Sequence, residues 1–263
     1  MEAVDERRGR VFPCEIWYPA DGAWPRPLIV FSHYSGGHRR CASFLCGHLA
    51  SHGYVVAALD HSEVVAAELA PRVGETPGER SARIDAVISS RVPDVRFLLD
   101  YLLDGHASGV ELDAGRVGLA GHSLGGWTVL ATPESDPRVR AVVAMAPGGN
   151  SRPRPGVLRL PLTFAWGREV PVLYLAAEDD VPIPPDGVRE LFDRAPEPKQ
   201  LVILRHADHQ HFADGVEASH EALRAITLPG EACSDHGLGT RALSTRGGGR
   251  QECEGHWCGW GPA

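Results

Sequence analysis

Arg116-Val117-Gly118-Leu119-Ala120-Gly121-His122-Ser123-Leu124-Gly125-Gly126 is the stretch on which the reading of this chain turns. An apolar run, Arg116 to Ala120, leads into Gly121-His122-Ser123-Leu124-Gly125, and a helical pattern opens behind it. Strand, sharp turn and helix, in that order, hold a G-x-S-x-G serine on strained backbone with its hydroxyl exposed. Glycines two before and two after the serine let neighbouring chain pass close to the turn. The bare string also occurs in ordinary Gly/Ser-rich loops. The rest of the chain must therefore supply what a serine nucleophile needs, a base and an acid.

Outward from this turn, apolar runs alternate with helical patterns. Pro27 to His33, Tyr54 to Asp60, Val139 to Ala146 and Val170 to Ala177 are continuous apolar runs, as in strands covered on both faces. Lys199 to Arg205 reads as the last strand, and Phe12 to Tyr18 as an edge strand with prolines at its borders. Helical patterns cover Cys41 to His52 (stopping at Gly53), Ser81 to Asp104, Gly187 to Arg194 and Phe212 to Ile226. Pro93 is expected to kink or split the second of these. The alternation predicts an α/β fold: a mainly parallel central sheet, helices on both faces, and ligands at the carboxyl ends of the strands.

Two segments break the pattern. Pro147 to Gly167 is rich in proline, glycine and arginine and alternates Leu158, Leu160, Leu162, Phe164 and Trp166. It reads equally as a flap facing a ligand or as a loop packed on the core. From Gly230 the composition shifts to glycine-rich polar sequence without periodicity. The division is a domain over 1–229 and an irregular tail over 230–263.

Bulk properties narrow the function. The 263 residues are 43% hydrophobic, carry a formal net charge of -8 and have a pI near 5.9, which argues against nucleic acid or an anionic membrane as partner. No apolar run has transmembrane length, so stable membrane insertion is not expected. Met1 to Arg10 is charged and lacks an apolar core, so it is no signal peptide and a cytoplasmic location is expected. Cys14, Cys41 and Cys46 lie in the body and Cys233, Cys253 and Cys258 in the tail, consistent with free thiols in an intracellular protein. Cys253, His256 and Cys258 fit no compact zinc spacing, so no metal is expected. Composition leaves the oligomeric state open.

The acid and base follow from position. The strand ending Met145-Ala146-Pro147 offers no carboxylate. The next ends Ala177-Glu178-Asp179-Asp180, before prolines that stiffen the turn; Asp180 is the choice and Asp179 the runner-up. Behind the last strand, Arg205-His206-Ala207-Asp208-His209-Gln210-His211 contains three histidines, of which His209 stands at the loop-to-helix junction. The order Ser123, Asp180, His209 is that of a hydrolase triad. An oxyanion would take the backbone N–H of Leu124 and one from the loop His33-Tyr34-Ser35-Gly36-Gly37-His38, assigned to Ser35. Tyr34, Trp127, Phe164 and Trp166 are candidates for lining an apolar pocket, with Trp127 reading equally well as core.

The chain resembles an α/β-hydrolase, and within that fold the platelet-activating-factor acetylhydrolase and dienelactone-hydrolase-like serine esterases. Four segments carry the resemblance: Val30 to His33 with its glycine loop, Leu49 to Ala58, Gly121 to Gly126, and His209-Gln210-His211-Phe212-Ala213-Asp214, together spanning about 11 to 228. The last supports His209 as the family's catalytic histidine. Three departures stand out. Tyr34 replaces the glycine of a His-Gly oxyanion loop. The acetylhydrolase acid would fall at Met145-Ala146-Pro147, so it must have moved to Asp180. Dienelactone hydrolases proper use cysteine where this chain has Ser123. The resemblance implies cleavage of small-molecule carboxylic esters with no cofactor. The alternatives are acyl transfer, perhydrolysis, amide or thioester cleavage on the same triad, or an inactive binding protein.

Overall fold

The computed structural model describes residues 1–22, 25–62, 72–106 and 109–216. All five residues of β4 (Val55–Leu59) are buried, as a strand with no polar face requires. Around it stand β3 (Arg26–Ser32), β5 (Leu112–His122), β6 (Val139–Met145), β7 (Val172–Ala177) and β8 (Lys199–Leu204). β1 (Glu2–Asp5) and β2 (Arg10–Trp17) precede them. The sheet order is β1-β2-β4-β3-β5-β6-β7-β8. Every pairing from β4 to β8 is parallel, while β2 runs antiparallel to both its neighbours.

β2 is not the edge strand its prolines suggested. Its first half, Arg10 to Pro13, pairs with β1, and its second half, Cys14 to Trp17, with β4. Pro13, which has no N–H to donate, falls at the changeover, where its carbonyl accepts from Asp60 N–H at 3.0 Å and Cys14 N–H reaches back to Met1 O at 2.8 Å. β1 escaped the reading of the sequence because Glu2-Ala3-Val4-Asp5 is too short and charged to look like a strand; only Ala3 and Asp5 turn inward.

The helices are α1 (Ser43–Ser51), α2 (Pro77–Tyr101), α3 (Leu124–Ala131) and α4 (Pro185–Arg194). α2 starts four residues earlier than expected: Thr76 and Glu79 form a reciprocal capping box with Pro77 in the first turn. It runs unbroken through Pro93, because Arg91, Asp94, Val95 and Leu98 anchor both sides of that residue in the interior. One core lies between the sheet and α2, α3 and α4, and includes Leu28, Val30, Leu98, Leu119, Trp127 and Leu191. The other lies on the α1 side, with Phe31, Cys46, Ala58, Ala120 and Phe212. Strand neighbours such as Val30 and Phe31 thus serve opposite faces, as the two-residue period of a strand dictates.

A short 3₁₀ turn, His209–Phe212, stands where the last helix was expected to begin. The remainder of that helix, from 217 onward, and the tail over 230–263 lie outside the described residues. No helix among the described residues is long and apolar enough to cross a membrane.

The chain leaves β3 toward β4 on one side and returns through α2 to β5 on the other. The carboxyl ends of β3 and β5 therefore lie side by side, with Ser32 opposite Gly121. Such a switch in strand order opens a crevice in doubly wound sheets.

Candidate active site

Ser123 stands between β5 and α3 with φ 58° and ψ −115°. That conformation strains any residue with a side chain, so the surroundings must hold it. The Ser123 N–H donates to Met145 O at 2.9 Å, and its carbonyl accepts from Trp127 N–H at 3.0 Å and Gly148 N–H at 3.2 Å. The flanking glycines are steric necessities. A Cβ on Gly121 would stand 2.3 Å from Gly125 O, and one on Gly125 2.0 Å from Ser32 O.

Asp180 follows β7 and is buried, 4% exposed. Ile183 N–H donates to its Oδ1 at 2.7 Å, and its Oδ2 lies 2.7 Å from His209 Nδ1. A carboxylate accepts, so Nδ1 carries the proton and Nε2 is left as a base. The neighbouring candidates are engaged elsewhere. Asp179 is exposed and ties its backbone N–H to Ala207 O at 2.8 Å. His206 is exposed, with φ 55°, and its N–H donates to Glu178 Oε2 at 3.0 Å. His211 pairs through Nδ1 with Asp208 at 2.8 Å. The imidazole of His122, the residue before Ser123, packs 4.6 Å from the His209 ring centroid and 5.3 Å from that of Phe212. Burial pushes the His122 pKa well below the usual histidine value, and a proton on His209 would act in the same direction, so it is a neutral spacer.

A cavity of about 180 Å³ opens beside the serine, lined by Ser35, Ser123, Leu124, Leu158, Leu160 and Ile183 among others. Leu124 opens α3, so its N–H belongs to the first helical turn and has no partner within the helix. Residues 34–37 form a tight turn closed by Gly37 N–H to Tyr34 O at 3.0 Å, with Gly36 at φ 76°.

The segment from Pro147 to Gly167 packs on the core through Leu160, Leu162 and Trp166, and Val157, Leu158 and Leu160 also line this cavity. Of the four aromatic pocket candidates, Trp127 is buried with its indole N–H on Pro161 O at 2.8 Å, and Trp166 with its own on Leu130 O at 3.1 Å. Phe164 packs against Trp166 under Arg194, and Tyr34 packs edge-on against His122. None of the four is among the residues lining the cavity beside Ser123. Alternation within the segment told apolar from polar, but not which apolar residue met the core and which the ligand space.

One group of residues went unnoticed in the sequence. Arg91, Asp94, Ser32, His33 and His61 form a buried polar cluster behind the 33–38 loop. The signal was present: Arg91 and Asp94 lie four residues before Val95 and Leu98, on the apolar face of α2.

Residues 17–81 match the family model of platelet-activating factor acetylhydrolase, isoform II. Over 151 residues the chain is 31% identical to a platelet-activating factor acetylhydrolase of Cavia porcellus, covering 46% of this chain and 35% of that one. It is 25% identical over 223 residues to the protein of the same name from Canis lupus familiaris (72% and 48%). It is 24% identical over 224 residues to cutinase est2 of Thermobifida alba (81% and 64%). A crystal structure from Klebsiella pneumoniae, of a protein assigned as a dienelactone hydrolase, superposes with a TM-score of 0.62 at 18% identity, covering 86% of this chain and 96% of that one. The fold is therefore the α/β-hydrolase fold. Within it, the family model and the sequence relatives to which parts of the chain are similar are those of acetylhydrolases and cutinases. The chain spans 35% and 48% of the length of these two acetylhydrolases.

Proposed function

We propose that this protein hydrolyses small-molecule carboxylic esters through a covalent acyl-serine intermediate. The observation that carries the reading is the 2.7 Å contact between buried Asp180 and His209 at the sheet end that also bears the strained Ser123. In this reading His209 Nε2 takes the Ser123 proton as Oγ attacks the ester carbonyl, and the N–H groups of Leu124 and Ser35 receive the oxyanion. The protonated His209 then gives its proton to the leaving alkoxide, and Asp180 stabilises the imidazolium in between. A water, deprotonated by the same histidine, releases the acid and restores the serine. No step calls for a metal or an organic cofactor.

The cavity beside Ser123 is apolar and, at about 180 Å³, smaller than the roughly 300–1,000 Å³ of sites for drug-sized ligands. It suits a short acyl group, in keeping with the acetylhydrolases the chain resembles. Hydrolysis of p-nitrophenyl esters from two to sixteen carbons tests this. Rates are expected to peak at two to four carbons, fall at least about tenfold by twelve, and vanish in Ser123→Ala, since loss of a triad member removes orders of magnitude in kcat. Activity retained by Ser123→Ala would overturn the mechanism, and a maximum at long chains would overturn the short-acyl assignment.

A further inference from the structure

The oxyanion loop is held from behind by a buried arginine. Arg91, on α2, is fully buried; it donates to His33 O at 2.6 Å and Ser32 Oγ at 3.3 Å through one terminal nitrogen, and to Tyr34 O at 3.3 Å through the other. The Tyr34 carbonyl also accepts from Gly37 N–H at 3.0 Å and lies 2.7 Å from His33 Nδ1. His61 N–H donates to His33 Nε2 at 3.1 Å, so Nε2 is unprotonated and Nδ1–H is the donor to Tyr34 O. One carbonyl oxygen thus takes three donors, one of them cationic.

This carbonyl shares its peptide unit with the N–H of Ser35. The unit is planar and trans, so the two groups point in opposite directions. Fixing Tyr34 O toward the interior turns the Ser35 N–H outward, on the side where Ser35 lines the cavity with Ser123. A carbonyl bonded to a cation also polarises its own peptide, making the opposite N–H a stronger donor. We propose that Arg91 is a positioning residue for ester hydrolysis: by locking the Tyr34–Ser35 peptide it preorganises the Ser35 N–H for the oxyanion. Because the backbone bears the load, the loop tolerates Tyr34 in place of a glycine.

Arg91 is itself held in place. Asp94 Oδ1 accepts from Arg8 at 2.7 Å and Arg10 at 2.6 Å, while Oδ2 accepts from His61 Nδ1–H at 3.0 Å. His61 Nε2 is then the acceptor for the Ser32 hydroxyl at 3.0 Å, and Ser32 Oγ is the atom Arg91 reaches. This serine, histidine and aspartate have the bonding order of a triad but are each at most 2% exposed, so they brace the loop and meet no substrate.

The proposal rests on the ester-hydrolase reading above, and the test separates the two. The wild type, Arg91→Met, Arg91→Lys and Ser123→Ala are compared for kcat and KM on a short p-nitrophenyl ester. Each is also compared for inhibition by a short trifluoromethyl ketone, whose tetrahedral adduct needs the oxyanion donors. Thermal melts establish which variants are folded. Arg91→Met is expected to lose about tenfold to a hundredfold in kcat, short of the roughly 10²–10³-fold cost of deleting a donor. Its KM should change little, and its affinity for the ketone should fall in proportion to kcat/KM. Arg91→Lys, which keeps the charge and one donor, should lie between. If Arg91→Met does not fold, Arg91→Lys decides alone: a fall in kcat matched by weaker ketone binding supports the assignment. A folded variant with kcat and ketone affinity within twofold of wild type overturns it, as does a loss confined to KM. A wild type without Ser123-dependent turnover would instead refute the underlying function.

Discussion

At the scale of single residues, the proposed function rests on which of several similar side chains is buried and which is wet. Asp179 and Asp180 are adjacent, yet only Asp180 is withdrawn from solvent and bonded to His209. Of the three neighbouring histidines, His206 and His211 are exposed and bonded away from Asp180. Asp180→Asn and His209→Ala are therefore expected to cut kcat by at least about 10³-fold, whereas Asp179→Asn, His206→Ala and His211→Ala should stay within about tenfold. Steady-state kinetics on one short ester decides the matter, and a crippled Asp179→Asn beside a near-normal Asp180→Asn would reverse the choice of acid. The pairing of Asp180 with His209 was legible in the sequence because position after a strand selects the tip of a turn. The four aromatic lining candidates were not separable in the same way, since Trp127 and Trp166 satisfy their indole N–H groups on buried carbonyls that only the fold brings near.

Among the elements, the proposed mechanism needs the loop after β8 to hold His209 still, and α1 supplies the anchor. The α1 N-terminus has no cap of its own; Asp214 provides one from far along the chain, accepting from Ser43 N–H at 2.8 Å, Ser43 Oγ at 2.5 Å and Phe44 N–H at 3.3 Å. A carboxylate there satisfies orphan donors and faces the positive end of the helix. Asp214→Ala is expected to lower stability by about 1 kcal/mol, the usual cost of a lost cap, and to lower kcat more than it raises KM. Urea unfolding and ester kinetics check both parts, and an unchanged unfolding midpoint would show that the cap contributes nothing. The sequence showed the buried strands because continuous apolar runs need no partner to be recognised. It hid the capping box at Thr76 and Glu79 behind a glycine and a proline, and it hid β1 because four residues with two charges carry no period. Asp214 as a cap for a helix 170 residues earlier is a tertiary fact without a local signal.

For the whole molecule, the reversal of strand order at β3 brings the 33–38 loop, Ser123 and the Asp180–His209 pair to one end of the sheet, where His33, His61 and His122 are buried. Burial depresses the pKa values of His33, His61 and His122 well below the ordinary histidine value, aided by Arg91 at the first two and by His209 at the third. These rings stay neutral in the folded chain but take up protons once unfolded, near pH 6.5. Their contribution to stability is therefore complete above that pH and is lost as pH falls below it, by about 1.4 kcal/mol per pH unit for each ring. The urea midpoint is expected to be lower at pH 5.5 than at pH 7.5, and equal midpoints would mean that the three rings take up protons in the fold as readily as in the unfolded chain. The proposed function asks one chemical result of this organisation, an activated Ser123. The most direct test is to treat the folded protein with a fluorophosphonate and locate the adduct by peptide mass spectrometry. One phosphonylated residue is expected, Ser123, with labelling abolished in His209→Ala; an unlabelled protein, or an adduct on any other residue, would contradict the assignment of Ser123 as nucleophile.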